Sequence, residues 1–175
     1  MKNLILIWIM SLAMNSIGQT TIKFAEPVHA SDSLIIDLVK QIDSAWNSRN
    51  IDWFAGLFTE DCDIHYITKG WSTRTREGVR GMYGEGFKKR SSDIRHYTHP
   101  KEIIWLEKDL CMGTGYTDIV SDPGDGSKPG LLMRHNGFML FRITDEGPKV
   151  QMIRAWTEEP VSSQQPAVDS QQNSR

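Results

Sequence analysis

The stretch WNSRNIDWFAGLFTEDCDI, from Trp46 to Ile64, decides the fold. It opens on a tryptophan that ends an apolar helical face and breaks at the polar run Asn47 to Asn50. It then resumes as a second, shorter helix with Asp52 near its start. Trp53, Phe54, Leu57 and Phe58 fall on the inward side of that helix. Thr59-Glu60-Asp61 ends it, and the alternation that follows predicts a strand from Asp63 to Thr68.

Reading outward, the pattern upstream is one amphipathic helix. Ser31-Asp32-Ser33 supply cap candidates, and Ile35, Leu38, Val39, Ile42, Ala45 and Trp46 recur at spacings of three and four. Downstream, Lys69-Gly70 is a turn, and Thr75 caps a third helix running to about Lys89. Gly78, Gly81, Gly84 and Gly86 weaken that helix by about 1 kcal/mol each relative to Ala. It therefore depends on packing through Val79, Met82, Tyr83 and Phe87. From Asp93 the period changes to two. Strands are predicted at Ile94–Thr98, Glu102–Leu106, Leu110–Val120, Leu131–Thr144 and Val150–Glu158, separated by turn residues such as Asp145-Glu146-Gly147-Pro148. Helices first and strands afterwards is the α+β pattern.

The 175 residues carry a net charge of −2, with 39% apolar and 24% charged residues, the composition of a globular domain. Neither that charge nor any dense basic block supports a nucleic-acid surface. Lys2 followed by the apolar run Leu4 to Met14 and by Ser16-Ile17-Gly18 has the layout of a secretory signal peptide. The expected organisation is a signal peptide at 1–18, a leader at 19–30, one domain at 31–159 and a disordered Ser/Gln/Pro tail at 160–175. The expected location is periplasmic or secreted, with no membrane association after cleavage. Cys62 and Cys111 fit neither a disulfide framework nor a metal motif and read as small hydrophobes. No metal or cofactor signature is present.

Residues Ser44 to about Phe87 resemble the front half of a SnoaL-like or ketosteroid-isomerase-like domain of the nuclear transport factor 2-like superfamily, many members of which are domains of unknown function. The resemblance rests on Trp46 to Asp52, Leu57 to Asp63, Arg76-Glu77-Gly78-Val79 and Tyr83. Its back half rests on Met139-Leu140-Phe141-Arg142, Asp145-Glu146-Gly147, Val150 and Trp156. It implies a cone-shaped, curved, antiparallel or mixed sheet wrapped around three N-terminal helices, the cystatin-like α+β barrel. It also implies a homodimer through the outer sheet face, here Met133, Met139, Phe141, Arg154 and Trp156. The tyrosine, base and protonated aspartate of ketosteroid isomerases fall on Ile42, Tyr66 and Leu140, so that mechanism is not expected. Their auxiliary tyrosine matches Tyr83.

Strand alternation, anchored on the same comparison, sends Ile64 and Tyr66; Ile94, His96 and Thr98; Met112, Thr114, Tyr116 and Asp118; Arg134, Asn136, Phe138 and Leu140; and Ile153, Ala155 and Thr157 into the cone. The candidate catalytic residues are His96 as general base, Tyr66 as oxyanion donor and Asp118, orienting His96 or pairing with Arg134. Candidate substrate contacts are Trp46, Met82, Tyr83, Tyr116, Arg134, Asn136 and Thr157. The competing reading makes His96 and the tyrosines ordinary packed residues and Asp118–Arg134 a rim ion pair. His65, His99 and His135 are expected to be exposed or at a subunit contact. Trp71 is either a cap over the pocket or a surface aromatic. The expected function is binding of a small, largely apolar molecule, with cofactor-free acid/base chemistry of the isomerase, cyclase or dehydratase type if there is turnover. The alternative is a non-catalytic binding or assembly module whose cone is plugged by Trp46, Phe58, Met82 and Phe138.

Overall fold

In the computed structural model, which describes residues 31–157, the apolar spacing of the first helix becomes α1, Asp32–Asn47. The signal peptide, leader and tail, and residues 158–159, lie outside the described residues. The chain reverses through Arg49, which has a positive φ of 58°, into α2, Ile51–Gly56, where the Asn50 side chain accepts from the Trp53 N–H. β1, Phe58–Tyr66, leads through a short 3-10 turn, Ile67–Lys69, into β2, Trp71–Arg74, and then α3, Arg76–Lys89. β3, Ile94–Glu107, β4, Leu110–Ser121, β5, Gly130–Thr144, and β6, Gly147–Thr157, complete the chain.

The six strands form one sheet in the order β2-β1-β6-β5-β4-β3. Only β1 and β6 run parallel; the other neighbours are antiparallel. The curved, unclosed sheet lays its concave face on the helices. Trp46, Phe58, Ile35, Leu38, Ile64, Phe141 and Val150 are buried between the two layers, each such side chain contributing roughly 1.5–3 kcal/mol. No helix among the described residues is long and apolar enough to cross a membrane.

Two expectations about strand number change. The strands expected at Ile94–Thr98 and Glu102–Leu106 are one strand, β3, with a register shift between Pro100 and Glu102. A bulge absorbs the proline, whose missing N–H cannot join a ladder. β2, four mostly exposed residues at the sheet edge, was not foreseen. The opposite edge, β3, is closed by α1. The Asn47 side chain accepts from the His96 N–H at 2.7 Å and donates to the His96 carbonyl at 2.9 Å, standing in for a further strand.

The pairing register corrects the inward faces of β4 and β5. Cross-strand partners share a face, and Thr117, His135 and Thr157 are aligned with Thr98, Gly115 and Gly137 with Ala155, and Gly113 and Met139 with Ile153. These residues face the helices, whereas Met112, Thr114, Tyr116, Asp118, Arg134, Asn136, Phe138 and Leu140 belong to the outer face. A shift of one residue turns every side chain of a strand over. The apolar alternation misled because the inward positions include Gly113, Gly115 and Gly137, which carry no side chain to signal their face. Met139 and Phe141 likewise leave the expected dimer surface, Phe141 being 2% exposed. The outer face instead carries the cross-strand row Ile104, Met112, Leu140 and Met152, with Trp156 at 41% exposure.

Candidate functional site

Between α1 and the concave sheet lies a hollow of about 800 Å³ of atom-free space, measured out to its open mouth, of which about 60 Å³ admits the centre of a water-sized sphere. A space of that size holds several waters or one small ring. Ile35, Ile36, Val39, Ile42, Phe54, Phe58 and Phe141 supply apolar wall; Tyr66, Tyr83, His96, Thr98, Thr117 and His135 are among its polar members, with Thr114, Asn136 and Arg154 also bordering it. Trp46 and Met82, two of the four expected plugs, do not line it.

The wall carries a carboxylate–imidazole pair. Asp43 leaves α1 towards β3, and its Oδ1 lies 2.7 Å from His96 Nδ1. The same oxygen accepts from Thr98 Oγ1 at 2.8 Å, while Oδ2 accepts from the Thr98 N–H at 2.8 Å. Thr98 Oγ1 is in turn 3.3 Å from Thr117 Oγ1. The carboxylate, fixed by two Thr98 bonds, places the imidazole proton on Nδ1. Nε2 has no hydrogen-bond partner among the described residues. The ring is backed by Trp46, stacked at 5.0 Å between centroids. An imidazole held in one tautomer by a carboxylate, with its second nitrogen open, is a general base in position.

Tyr66 from β1 and Tyr83 from α3 meet hydroxyl to hydroxyl at 2.8 Å. Burial pushes both phenols up, so both stay protonated. Either hydroxyl can donate in the bond between them; when Tyr83 donates, Tyr66 keeps its own O–H for another acceptor. His135 completes the set. Its Nδ1 is 2.9 Å from Thr157 Oγ1, and its ring packs edge-on against Tyr66 at 5.2 Å.

Burial, with repulsion from His96 whenever it is protonated and from Lys69 and Arg90 behind it, pushes the His135 imidazole down to about 4. Because this lies below the ~6.5 of an unfolded histidine, the native state holds His135 neutral. Its stabilisation is complete above pH ~6.5 and is lost as pH falls towards 4. Allowing for partial exposure, the loss by pH 5 is about 1–2 kcal/mol. Urea unfolding of the wild type and His135→Gln at pH 7.5 and 5 should show that part of the pH dependence vanish in the variant. Equal pH dependence in both proteins would contradict it.

The residues singled out in the sequence fall into three groups. His96, Tyr66 and Tyr83 line the hollow together. Trp46, Thr157 and Met82 stand one layer back: Trp46 behind His96, Thr157 holding His135, Met82 half-buried against the core. Asp118, Tyr116 and Arg134 are on the outer face, a correction that follows from the register of β4 and β5; Asn136 shares that register yet also borders the hollow. There Arg134 grips both oxygens of Asp118 at 2.6 and 2.8 Å and lies 4.1 Å over the Tyr116 ring. Tyr116 stacks on His99. Asp118 does not orient His96; Asp43 does. Trp71 is 57% exposed and is not part of the wall.

The sequence offered a partial signal for Asp43, which falls four residues after Val39 and three before Trp46, beside the buried stripe of α1. His135, expected at the surface, is turned inward by the same register that moves Asp118 outward. Cys62 and Cys111 are fully buried free thiols, pushed up to about 11 chiefly by burial, so they stay unreactive. Among the described residues no three His, Cys, Asp or Glu side chains gather into a metal site.

The three-helix, six-strand cone with its hollow defines the class: a nuclear transport factor 2-like, cystatin-like fold. Solved structures share it. A candidate scytalone dehydratase from Novosphingobium aromaticivorans superposes with a TM-score of 0.63 at 14% identity, over 74% of this chain and 85% of that one. An NTF2-like protein from the same organism gives 0.64 at 13%, over 75% and 84%. A ketosteroid isomerase-like protein from Erwinia carotovora atroseptica gives 0.56 at 12%, over 75% and 99%. At such identities the likeness establishes the fold alone. No family model matches the chain, and no curated protein matches it.

Proposed function

We propose that this protein is an exported, cofactor-free acid/base catalyst of the isomerase or dehydratase type, acting on a small, largely apolar ring-sized molecule. The observation that carries the reading is the 2.7 Å bond between Asp43 and His96 in the wall of an otherwise apolar hollow. In the proposed step His96 Nε2 takes a proton from the carbon beside a carbonyl. With Tyr83 donating to the Tyr66 oxygen in this step, the Tyr66 O–H stabilises the oxygen on which charge develops. Where a hydroxyl one carbon further on departs as water, taking up the proton that His96 has removed, the step is a dehydration; return of that proton to another carbon makes it an isomerisation. The fold is shared with a candidate scytalone dehydratase and a ketosteroid isomerase-like protein, which agrees with this chemistry. Export rests on Lys2 and the apolar run Leu4 to Met14.

The test is exchange of α-protons in D2O across a panel of cyclic β-hydroxyketones, followed by NMR. The wild type should exchange at least one member, and His96→Ala should slow that exchange by about 10²–10⁴-fold. A His96→Ala protein exchanging at the wild-type rate would remove the assignment.

A further inference from the structure

A row of polar side chains crosses the concave face of the sheet. Thr98 of β3, Thr117 of β4, His135 of β5 and Thr157 of β6 are successive cross-strand partners, and the first three line the hollow. The hydrogen bonds at the Thr98 end have a direction. Thr98 has one hydroxyl proton and gives it to Asp43 Oδ1 at 2.8 Å. In the bond between Thr98 Oγ1 and Thr117 Oγ1, at 3.3 Å, Thr98 therefore accepts and Thr117 donates. That separation is longer than the roughly 2.7–2.8 Å of an ordinary hydroxyl pair. It is nevertheless the one hydrogen bond that the Thr117 side chain makes among the described residues. With its proton turned towards Thr98, the Thr117 oxygen keeps only its capacity to accept, and no group of the protein fills it among those residues.

Thr117 is 8% exposed, and what it borders is the hollow. The positions before it on the same face of β4, Gly113 and Gly115, carry no side chain that could reach its oxygen. Of the other polar residues along the wall, Arg154 is turned to Asp63, whose carbonyl and carboxylate oxygens it holds at 3.0 and 2.6 Å. Thr114 and Asn136 have the register of the outer face. A ligand body that fills the hollow closes off the remaining access of water to Thr117, and a buried acceptor without a donor is costly. A hydroxyl on the ligand at that point supplies the donor. Sites of this kind discriminate between a ligand that carries the group and one that lacks it.

We infer that the ligand is a hydroxylated ring compound whose hydroxyl donates to Thr117 Oγ1, which makes Thr117 a specificity-determining residue. This rests on the hollow being a ligand site, as proposed above, and adds the functional group that the site selects. His96 Nε2 is left for a carbon-bound proton and the Tyr66 O–H for the oxygen on which charge develops.

The probes are cyclohexanol and cyclohexanone. They match in ring size and each carries one oxygen able to accept from Tyr66, but only the alcohol has a proton to donate. Each is titrated into the wild type, Thr117→Val and Thr117→Ser while the His96 and His135 imidazole resonances are followed. Thr117→Val keeps the shape of the side chain and removes its oxygen. It should weaken cyclohexanol about 10-fold and leave cyclohexanone unchanged, which shows an intact hollow. Thr117→Ser returns the oxygen and should bring the cyclohexanol affinity back towards that of the wild type. Equal losses for both probes in Thr117→Val, or no loss for either, overturn the role of Thr117. A larger loss for cyclohexanone means that Thr117 donates to the ligand, and overturns it as well. All three outcomes leave the hollow standing as a site. Failure of both probes to shift either histidine of the wild type overturns the ligand site itself, and this inference with it.

Discussion

Replacing Asp43 by Ala should cost about 3 kcal/mol of stability and release the His96 ring from its single tautomer. The carboxylate serves three donors: His96 Nδ1–H, the Thr98 N–H and Thr98 Oγ1–H. Thr98 is 6% exposed, so its two donors find no water when the carboxylate is removed. Each buried donor left without a partner costs about 1–3 kcal/mol. His96 borders the hollow, where water can enter, and adds less. Asp43→Asn separates the charge from the shape. It keeps one accepting oxygen but turns an N–H₂ towards a donor, so it should retain part of the stability and still lose the tautomer. Urea unfolding gives the first quantity. The ¹⁵N shifts of the His96 imidazole give the second, with Nδ1–H dominant in the wild type and mixed in both variants. An Asp43→Ala protein within 1 kcal/mol of wild type, with His96 still protonated on Nδ1 alone, would show that the pair is not what positions the ring.

That pair also marks the limit of what the sequence discloses. The helices were legible because burial of a stripe imposes a period of three and four, and α1 and α3 lie close to where the period puts them. His96 and Tyr66 were legible because β1 and the first half of β3 keep a plain alternation from a recognisable start, and Tyr83 because it matches the family's tyrosine on the third helix. Asp43 was passed over because a charged residue next to an apolar stripe ordinarily faces water. Only β3 arriving against α1 reveals what the carboxylate meets. The inward faces of β4 and β5 were illegible for a different reason. Periodicity registers side chains, and this wall is made partly of residues without them. The bulky Met112, Tyr116 and Phe138 mimicked a core while lying on the convex surface. His135 could be identified as inward only through its pairing with Thr117 and Thr157.

Those glycines lead to the second large effect. Gly137→Ala should destabilise the protein by about 3 kcal/mol, and Gly115→Ala by a similar amount. The two residues are direct partners across β4 and β5 on the concave face. A Cβ added at Gly137 would land on the Arg154 carbonyl oxygen of β6, and one added at Gly115 on the His99 carbonyl oxygen of β3. Both obstacles are backbone, which cannot swing aside as a side-chain tip can. The strands must therefore separate or the ladder distort, at the upper end of the usual 1–3 kcal/mol cost of overpacking. Gly81→Ala is the contrast. Its added Cβ would meet nothing within 4 Å on the solvent side of α3, so the gain in helix propensity should stabilise the protein by about 0.5–1 kcal/mol. Urea midpoints moving in opposite directions for Gly137→Ala and Gly81→Ala would confirm that the wall glycines are required by close approach of strands. A Gly137→Ala protein as stable as wild type would mean that the sheet can relax there. The tight curvature would then not be what shapes the hollow around a single ring.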